Sequence, residues 1–357
     1  MTSFPDLDAT PVLVVDTDVL ERNLTRMARS ADARGLHLRP HVKTHKCVEI
    51  ARRQLAAGAR GLTVATVSEA EVFADAGADD LFVAYPLWVD AARGARLRAL
   101  AARVRLTVGV ESTAGVRALA AHAGTGVGVL VEIDSGHHRT GVPPERAGAV
   151  AAAARDEDLE VLGVFTFPGH SYGPGVPPVA AAEESVALAA AAASLRAVGI
   201  EPAVISGGSS PTVMIETPTE ATELRPGVYV FGDAQQLELE AITEQDLALT
   251  ALATVVSARG DVVVLDAGSK ILGADRASWA TGYGRILGTP DARIVALSEH
   301  HATVQWPGHT SPPALGERVR VVPNHACNAV NLVDELVAVS GDAVVGKWPV
   351  AARGCTT

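Results

Sequence analysis

A regular alternation of short apolar strands and helical segments runs through the first 245 residues and constrains the fold more than any other feature. Eight segments have the length and apolar composition of buried strands: Leu36–Arg39, Gly61–Thr66, Asp80–Ala84, Arg105–Val110, Val127–Ile133, Glu160–Phe165, Ala203–Ser206 and Leu224–Tyr229. Helical patterns lie between most of them: Val48–Ala57, Glu69–Ala76, Ala180–Val198 and Pro211–Ala221. Eight strands separated by helices favour a closed (β/α)8 TIM barrel. An open doubly wound sheet would contain about as many strands and stays the alternative.

The pattern changes at about Thr250, where strands become short, rich in valine and isoleucine, and separated by Gly, Pro and Asp. These strands are Leu252–Val256, Val262–Leu265, Ile294–Leu297, Ala302–Trp306, Val319–Val322, Leu336–Val339 and Ala343–Val345. A strand at Val12–Val15 precedes the first barrel strand, and we expect it to join this second sheet. We therefore predict an α/β protein with a barrel over residues 17–245 and a β domain formed by residues 1–16 and 246–357.

The charge balance and the cysteine content indicate which partners and which cellular compartment to expect. The chain has 30 basic and 41 acidic residues, a formal net charge of −11. Nucleic acid and anionic membranes attract basic surfaces, so neither is expected as a partner. No run of about 18 uncharged apolar residues suggests a membrane span. The three cysteines, Cys47, Cys327 and Cys355, are odd in number and far apart, which favours the reducing cytoplasm over a disulfide framework.

Polar clusters follow five of the predicted barrel strands. They are Arg39–Lys46, Glu132–Gly141, Pro168–Tyr172, Ser206–Thr212 and Arg225–Gly227. In a (β/α)8 barrel the carboxyl ends of all strands meet at one rim, and catalytic residues come from the loops there. The clusters therefore predict one functional site at this rim.

Two of these clusters suggest an aldehyde cofactor that carries a phosphate. The Ser-Gly-Gly-Ser-Ser loop at 206–210 can direct backbone N–H groups and hydroxyls at a phosphate, although glycine-rich loops are more often ordinary turns. Lys43 has Arg39, His41, His45 and Lys46 near it in sequence, and such a cationic environment favours the free amine that an aldehyde needs. A solvated basic loop is the alternative.

A further cluster, Pro323–Leu332, lies in the predicted β domain and contains His325 and Cys327. Two residues apart in extended backbone, their side chains would point to the same face. Imidazole and thiolate are ligands that zinc prefers. With only two ligands evident, water and substrate would complete the coordination, as in a catalytic site. A His-x-Cys spacing by itself is often accidental.

Taken together, these motifs resemble those of the D-serine dehydratase and D-threonine aldolase family. The resemblance rests on Arg-Pro-His-Val-Lys-Thr-His-Lys (39–46), Ala-Thr-Val-Ser-Glu-Ala-Glu (65–71), Glu-Ile-Asp-Ser-Gly-His-His-Arg-Thr-Gly (132–141), Arg-Pro-Gly-Val-Tyr (225–229) and Pro-Asn-His-Ala-Cys-Asn (323–328), and it extends from about Thr10 to Gly354. It implies the alanine-racemase type of fold, which is fold type III among pyridoxal-phosphate enzymes. It also implies a homodimer.

The resemblance assigns roles to the barrel residues. Lys43 would hold pyridoxal phosphate as a Schiff base and later act as the base on the α-carbon. Arg139 would approach the phenolic oxygen of the cofactor, Tyr172 would line the pocket near its ring, and Arg225 matches the position that faces the pyridine nitrogen in alanine racemases. The phosphate would be bound by Ser206, Gly208, Ser209 and the backbone at Gly227.

The resemblance also implies that His325 and Cys327 bind zinc. In the aldolase branch a carboxylate stands two residues after the histidine, whereas the dehydratase branch has cysteine there. Cys327 therefore favours a dehydratase. One departure from many relatives is Phe167, which stands where they have histidine and bears on how the cofactor ring is packed.

The expected reaction is β-elimination from a D-β-hydroxy amino acid, D-serine above all, to a 2-oxo acid and ammonia. Retro-aldol cleavage of D-threonine and dehydration of 3-hydroxyaspartate are the nearest alternatives. Racemisation is a further one, since Tyr283 in Gly282-Tyr283-Gly284 is similar to the racemase tyrosine, but the zinc pair has no place in racemase chemistry. Two further alternatives are not enzymes: a non-catalytic pyridoxal-phosphate carrier, and a barrel protein without cofactor.

Overall fold

The computed structural model describes residues 7–357, which form two compact units. The β unit comprises residues 7–26, Thr44–Ile50 and Val228–Gly354. The barrel unit comprises Met27–Lys43, Ala51–Gly227 and Cys355–Thr357. Residues 1–6 of the predicted β domain lie outside the described residues. The domain boundaries proposed from the sequence, 17–245 for the barrel, stay predictions.

Within residues 27–227 the barrel unit contains eight strands that pair in parallel. They are β2 (His37–Leu38), β3 (Leu62–Val64), β4 (Asp80–Pro86), β5 (Arg105–Val110), β6 (Gly128–Glu132), β7 (Glu160–Phe165), β8 (Val204–Gly207) and β9 (Glu223–Leu224). Their spatial order is β2-β9-β8-β7-β6-β5-β4-β3. The N–H of Arg60 donates to the carbonyl of Leu38, and that of Thr63 to Pro40, each at 2.8 Å, so β3 also meets the chain at β2. The sheet is therefore closed, and the predicted barrel is confirmed over the open alternative.

One helix precedes these strands, and a helix follows each of the first six. They are α1 (Thr17–Ala33), α2 (Val48–Ala56), α3 (Val67–Asp75), α4 (Ala91–Ala101), α5 (Thr113–Ala123), α6 (Ala147–Asp156) and α7 (Pro177–Ala197). Thr66, Asp90 and Ser112 begin α3, α4 and α5, because each side-chain oxygen accepts an N–H of the first turn. Among the described residues, α7 alone is long and apolar enough to cross a membrane by length and composition. It packs against β7 and β8, and its buried face includes Ala180, Leu188 and Leu195.

Two expectations near the eighth strand are wrong. The segment Pro211–Ala221 is not a helix: Pro211–Met214 forms turns, and the chain is irregular from Glu216 onward. Pro218 cannot donate a helical N–H, and Thr212 caps the preceding turn instead, by accepting the N–H of Ser209 at 3.0 Å. The eighth strand covers Glu223–Leu224 and not Leu224–Tyr229, because a 3₁₀ turn at Val228–Val230 ends the extended backbone.

The described part of the β unit contains a nine-stranded sheet. Its strands are β1 (Val12–Asp16), β10 (Leu249–Arg259), β11 (Val262–Leu265), β12 (Gly284–Ile286), β13 (Thr289–Leu297), β14 (Ala302–Gln305), β15 (Arg318–Pro323), β16 (Glu335–Ser340) and β17 (Ala343–Pro349). They lie in the order β11-β14-β13-β12-β15-β10-β1-β16-β17. Short helices accompany the sheet: α8 (Ala234–Glu238), α9 (Ser269–Leu272) and α10 (Ala326–Val330). The sequence did not predict β12, which is only three residues long and contains Gly284.

The N-terminal strand joins this sheet as expected. Val14 in β1 pairs with Thr250 of β10 in antiparallel and with Val337 of β16 in parallel orientation. Val14, Leu252, Val337 and Val339 are almost fully buried and pack together as one core cluster. Burial of these apolar side chains is what holds the first strand to residues more than 230 positions away in the chain.

Candidate active site

Three predicted site residues of the barrel unit gather round one aromatic ring, that of Phe167. Lys43 lies in a 3₁₀ turn, Val42–Thr44, directly after β2, and its Nζ is 5.5 Å from the ring centroid. The Cζ of Arg139 is also 5.5 Å from that centroid. The rings of Tyr172 and His137 lie 6.2 Å and 5.7 Å from it. Loops after β2, β6 and β7 thus bring Lys43, Arg139 and Tyr172 together, as the sequence predicted.

The loop after β6 is shaped by Asp134. This carboxylate accepts the N–H groups of Gly136 and His138 at 2.9 and 3.0 Å and contacts Nδ1 of His138 at 2.6 Å. His138 adopts a left-handed φ of 54°, which reverses the chain just before Arg139. The same hydrogen bonds, outweighing burial, lower the pKa of Asp134. Asp134 therefore holds the loop that presents Arg139.

Glu132 ends β6 below this loop and is almost fully buried. Thr140 donates to its Oε1 at 2.9 Å, whereas its Oε2 is buried without a hydrogen-bond partner in the described residues. Burial raises the pKa of Glu132 to about 7, with a further increase from Glu111. A carboxyl group with a raised pKa thus lies within electrostatic range of Arg139, which partly opposes that increase.

The loop after β8 has the geometry of a phosphate site. Gly208 adopts φ +85°, a conformation open mainly to glycine. The Ser209 hydroxyl contacts those of Ser171 at 2.9 Å and Thr212 at 3.0 Å. The hydroxyl of Ser210 is buried and has no partner among the described residues. An unpartnered hydroxyl beside such a loop fits an anionic oxygen, so the loop suits a phosphate. Gly227 lies immediately before the Val228–Val230 turn, at the same end of the strands.

Sequence reasoning missed a carboxylate behind this loop. Glu184 of α7 is buried, and its Oε1 accepts the N–H of Gly208 at 2.6 Å. Burial raises the pKa of Glu184 to about 7 against the opposing effects of Gly208 and Arg225. Nothing in the sequence marks Glu184, because it lies in an Ala-rich helix more than 20 residues before the loop that it contacts.

Ser206 requires a correction, because it lies within β8 and not on the loop. Its hydroxyl donates to Oε1 of Glu223 at 2.7 Å and accepts from Nε of Arg225 at 2.8 Å. This hydroxyl therefore serves a network inside the protein and not the phosphate role predicted for it. Arg225 is also bonded through Nη2 to the carbonyl of Thr166. Its pKa is lowered by burial, against the raising effect of Glu223.

The predicted metal pair lies in the β unit, where His325 precedes α10 and Cys327 lies in its first turn. The extended-backbone argument for the pair was wrong, because the helix begins at Ala326. The two residues are nevertheless close enough for Cys327 to raise the pKa of His325. Nδ1 of His325 contacts Oδ2 of Asp275 at 2.5 Å, and Sγ of Cys327 contacts the hydroxyl of Thr44 at 3.4 Å. Thr44 follows Lys43 directly in the chain.

The surroundings of His325 are anionic. Burial alone would lower its pKa, but Cys327, Asp275 and Asp233 together raise it to about 11. Asn324 Oδ1 and Gln236 Oε1 are buried acceptors without partners in the described residues. No group of three His, Cys, Asp or Glu side chains in the described part of the chain forms a metal cluster. With Asp275 on Nδ1, the imidazole has Nε2 available, so the pair fits a metal bound by two protein ligands.

Tyr283, the candidate racemase tyrosine, lies just before β12. The Cζ of Arg276 is 4.9 Å from the centroid of its ring. Its backbone N–H donates to the carbonyl of Ile294 at 2.9 Å. The structure thus places Tyr283 against a guanidinium in the β unit.

A parallel barrel followed by an antiparallel β sheet that recruits the N-terminal strand is the architecture of alanine racemases, which belong to the fold type III class of pyridoxal-phosphate enzymes. The family model of the alanine racemase N-terminal domain matches residues 15–235. The model of the serine dehydratase domain matches residues 248–339. The chain therefore belongs to the alanine racemase-like, fold type III pyridoxal-phosphate family, in the group that also carries a serine dehydratase-like domain.

Two characterised relatives match nearly the whole chain. D-threo-3-hydroxyaspartate dehydratase of Delftia sp. is 35% identical over 370 residues, which cover 95% of this chain and 96% of that protein. D-threonine aldolase of Arthrobacter sp. is 34% identical over 357 residues, which cover 97% and 93%. One of these relatives is a dehydratase and the other an aldolase, at nearly equal identity. Overall similarity therefore does not distinguish the two reactions for this chain.

Solved structures agree with the sequence comparison. That of the Delftia dehydratase superposes with a TM-score of 0.89 at 33% identity and covers 98% of this chain and 99% of its own. Two of its variants have been solved as well. One replaces a histidine by alanine, and the other, in a metal-free form, replaces a cysteine two positions further along.

Proposed function

We propose that this chain is a pyridoxal-phosphate and zinc-dependent dehydratase that converts a D-β-hydroxy amino acid to a 2-oxo acid and ammonia. D-serine and D-threo-3-hydroxyaspartate are the two substrates to compare first. The observation that carries the proposal is the placement of His325 and Cys327 at the start of α10, in a protein whose barrel unit brings Lys43 and Arg139 together. The His-x-Cys spacing is the same as that of the two residues replaced in the Delftia dehydratase variants.

In the barrel unit, Lys43 is the residue that would bind the cofactor aldehyde. Bound pyridoxal phosphate supplies a sink for the electron pair left when a bond to the α-carbon breaks. Nζ of Lys43 would also serve as the base that takes the α-proton of the substrate. The aromatic ring of Phe167 lies next to this amine, with its centroid 5.5 Å from Nζ. Ser209, Ser210 and the backbone of the loop after β8 would hold the phosphate, and Arg139 would orient the phenolic oxygen.

In the β unit, His325 and Cys327 are the residues that would bind zinc. A zinc ion supplies a Lewis acid, which elimination of hydroxide requires because hydroxide is a poor leaving group. Asp275 contacts Nδ1 and fixes the imidazole, so Nε2 would be the atom available to a metal. The Thr44 hydroxyl contacts Cys327 Sγ and limits how that thiol can turn.

Retro-aldol cleavage is the second candidate, favoured by the 34% identity to D-threonine aldolase over 97% of the chain. It would use the same lysine and metal pair but break the Cα–Cβ bond, releasing glycine and an aldehyde. Cys327 argues for elimination, since the resemblance places a carboxylate at this position in aldolases.

The test is to incubate purified protein, loaded with pyridoxal phosphate and zinc, with D-serine, D-threo-3-hydroxyaspartate and D-threonine in parallel. We expect a 2-oxo acid and ammonia in equal amounts from one of the first two substrates, and no product from Lys43→Ala or from chelated enzyme. Glycine and aldehyde from any of the three would replace the dehydratase proposal by the aldolase one. No product from any substrate despite bound cofactor would contradict both.

We further propose that the protein works in the cytoplasm as a homodimer, with a small D-amino acid and neither nucleic acid nor membrane as its partner. The acidic net charge of −11 supports the absence of nucleic acid, and no disulfide joins the three cysteines in the described structure. Light scattering on the purified protein decides the oligomeric state: a mass near 36.8 kDa would exclude the dimer.

A further inference from the structure

We propose that Ser206 and Glu223 are positioning residues that hold the guanidinium of Arg225 toward the pyridine nitrogen of the cofactor. They do so through a chain of hydrogen bonds anchored on Arg39, hereafter the relay. The proposal rests on the proposed function, because it takes Arg225 as the residue that faces this nitrogen. It assigns a purpose to Ser206, whose hydroxyl is not available to the phosphate loop.

The relay has four links that run from one charged group to the next. Asp80 Oδ1 accepts from Nη1 of Arg39 at 2.5 Å, and Nε of Arg39 donates to Oε2 of Glu223 at 2.7 Å. The other oxygen of Glu223 accepts from the Ser206 hydroxyl at 2.7 Å. Nε of Arg225 then donates to that hydroxyl at 2.8 Å. Each carboxylate oxygen of Glu223 therefore has its own partner.

The direction of every hydrogen bond in the relay is fixed by chemistry. A guanidinium only donates and an ionised carboxylate only accepts, so Arg39 and Arg225 must both be donors and Glu223 an acceptor. Ser206 has one hydroxyl proton, which goes to Glu223, and its oxygen is therefore left to accept from Arg225. Ser206 is fully buried and Arg225 is 6% exposed, so the last link of the relay lies in a buried environment.

Two of the three guanidinium nitrogens of Arg225 donate hydrogen bonds within the protein. Nε binds Ser206, Nη2 binds the carbonyl of Thr166, and the rings of Phe82 and Phe165 lie 5.5 and 5.2 Å from Cζ. Among the described residues, nothing accepts a hydrogen bond from Nη1 of Arg225. The relay and the two rings thus fix the plane of the guanidinium and leave Nη1 with its donors for a ligand.

A fixed, charged guanidinium would keep a proton off the nitrogen that it faces, because like charges close together oppose protonation. A guanidinium released from Ser206 could turn away, and the pyridine nitrogen would then take up a proton more readily. A purely structural network would change the stability of the fold and leave that nitrogen as it is. The protonation of the ring nitrogen therefore distinguishes positioning from stability.

The experiment uses holoenzyme loaded with pyridoxal phosphate that carries nitrogen-15 in its ring. The nitrogen resonance is followed against pH for wild type, Ser206→Ala, Ser206→Thr, Glu223→Gln and Arg225→Ala, together with melting temperature and cofactor content. Glu160→Gln is the matched control, because Glu160 lines the same cavity of about 500 Å³ as Arg39 and Glu223 but has no link to the relay.

We expect the ring-nitrogen resonance of Ser206→Ala to move toward the position of a protonated nitrogen. We also expect kcat to fall roughly tenfold, as for loss of one hydrogen bond to a charged group, while KM changes little. Arg225→Ala should move this resonance at least as far as Ser206→Ala does, and Glu223→Gln should move it less. The resonances of Ser206→Thr and Glu160→Gln should match that of wild type. If Glu223→Gln does not fold, Ser206→Ala decides, because it leaves Arg39 paired with both carboxylates.

An unchanged nitrogen resonance in fully loaded Ser206→Ala would overturn the relay, whatever happens to its melting temperature. So would an unchanged resonance in Arg225→Ala. Failure of the proposed function has another signature, since it would show as wild-type protein that binds no cofactor at Lys43 or has no lyase activity. A cofactor-loaded, active wild type with an insensitive ring nitrogen would contradict the relay alone.

Discussion

The Nζ of Lys43 lies 5.5 Å from the centroid of the Phe167 ring, and the guanidinium of Arg139 lies at the same distance from that ring. One aromatic side chain thus contacts both the residue proposed to bind the cofactor aldehyde and the one proposed to face its phenolic oxygen. A cation over an aromatic ring is stabilised by about 0.5–1 kcal/mol at exposed sites and more when desolvated. We therefore expect the ring of Phe167 to help fix the positions of both cationic side chains.

Replacing Phe167 by leucine tests this contact. Leucine keeps much of the apolar volume but removes the π face, so Lys43 and Arg139 each lose a cation–π contact. We expect cofactor content to persist and kcat to fall about tenfold, on the order of the two lost contacts combined. Phe167→Tyr, which retains the ring, serves as control and should stay within about twofold. Equal activity of the leucine variant and wild type would show that the ring serves packing only.

Lys43 is predicted to be the residue that binds the cofactor covalently. Borohydride reduction of the loaded protein followed by peptide mass spectrometry should find the reduced cofactor on Lys43, and Lys43→Ala should carry none. Lys46 is the matched control, three residues further along, where its Nζ donates to Asn331 at 3.0 Å. Lys46→Ala should retain the label on Lys43. A label on Lys46 in wild-type protein would contradict the assignment.

Asp275 is predicted to strengthen zinc binding without contacting the metal. It fixes the imidazole of His325 at 2.5 Å through Nδ1, and partners of this kind typically contribute 10–100-fold to metal affinity. We expect Asp275→Asn to weaken zinc binding by about that factor in a chelator competition assay. Asp291→Asn is the control, since Asp291 lies 3.8 Å from His309 in an exposed pair. Equal weakening of both variants would indicate a general charge effect instead.

Glu184 predicts how the stability of the cofactor-free protein depends on pH. Its pKa is raised to about 7 in the folded state from 4.5, so the unfolded chain ionises first as pH rises. The contribution of Glu184 to the free energy of unfolding is fully present below about pH 4.5 and is lost progressively up to about pH 7. Above that pH no further loss is expected from this group. The loss is on the order of 3 kcal/mol for this group.

Glu184→Gln keeps an acceptor for the Gly208 N–H but does not titrate. Denaturant unfolding between pH 5 and 8 should therefore show a smaller loss of stability in this variant than in wild type. Glu183→Gln, at the neighbouring exposed position, should follow wild type. A Glu184→Gln curve parallel to wild type across this range would mean that the carboxyl group ionises normally in the fold. Glu132, whose pKa is also raised to about 7, contributes to the slope that remains.

Much of the fold and the position of the site could be predicted from the sequence. The eight barrel strands were found because buried parallel strands read as short apolar runs, and seven of them, from His37–Leu38 to Val204–Gly207, lie within a few residues of the prediction. The gathering of Lys43, Arg139 and Tyr172 followed from one rule, that loops after barrel strands converge at one rim. The eighth strand and helix were misjudged because Pro211–Ala221 has too weak a pattern to decide.

The partners of individual side chains were decided only by the tertiary structure. Ser206 and Ser210 belong to the same serine- and glycine-rich loop motif, yet the hydroxyl of one is bound inside the barrel and that of the other is buried without a partner among the described residues. Their difference depends on where β8 ends, to a precision of one residue, which no local pattern specifies. Likewise, the pairing rule applied to His325 and Cys327 failed because a helix begins between them.

The sequence by itself determined the order of strands and helices, the rim on which the polar clusters meet and the lysine among them, because hydrophobic periodicity and turn chemistry are local properties. Only the tertiary structure decided that Glu184 binds Gly208 and that Arg39 and Glu223 reach each other across 184 residues of chain. The contact of Glu184 arises because α7 packs against β8, and that of Arg39 because closure of the barrel brings the first strand beside the last. Side chains far apart in sequence then become buried neighbours inside the barrel.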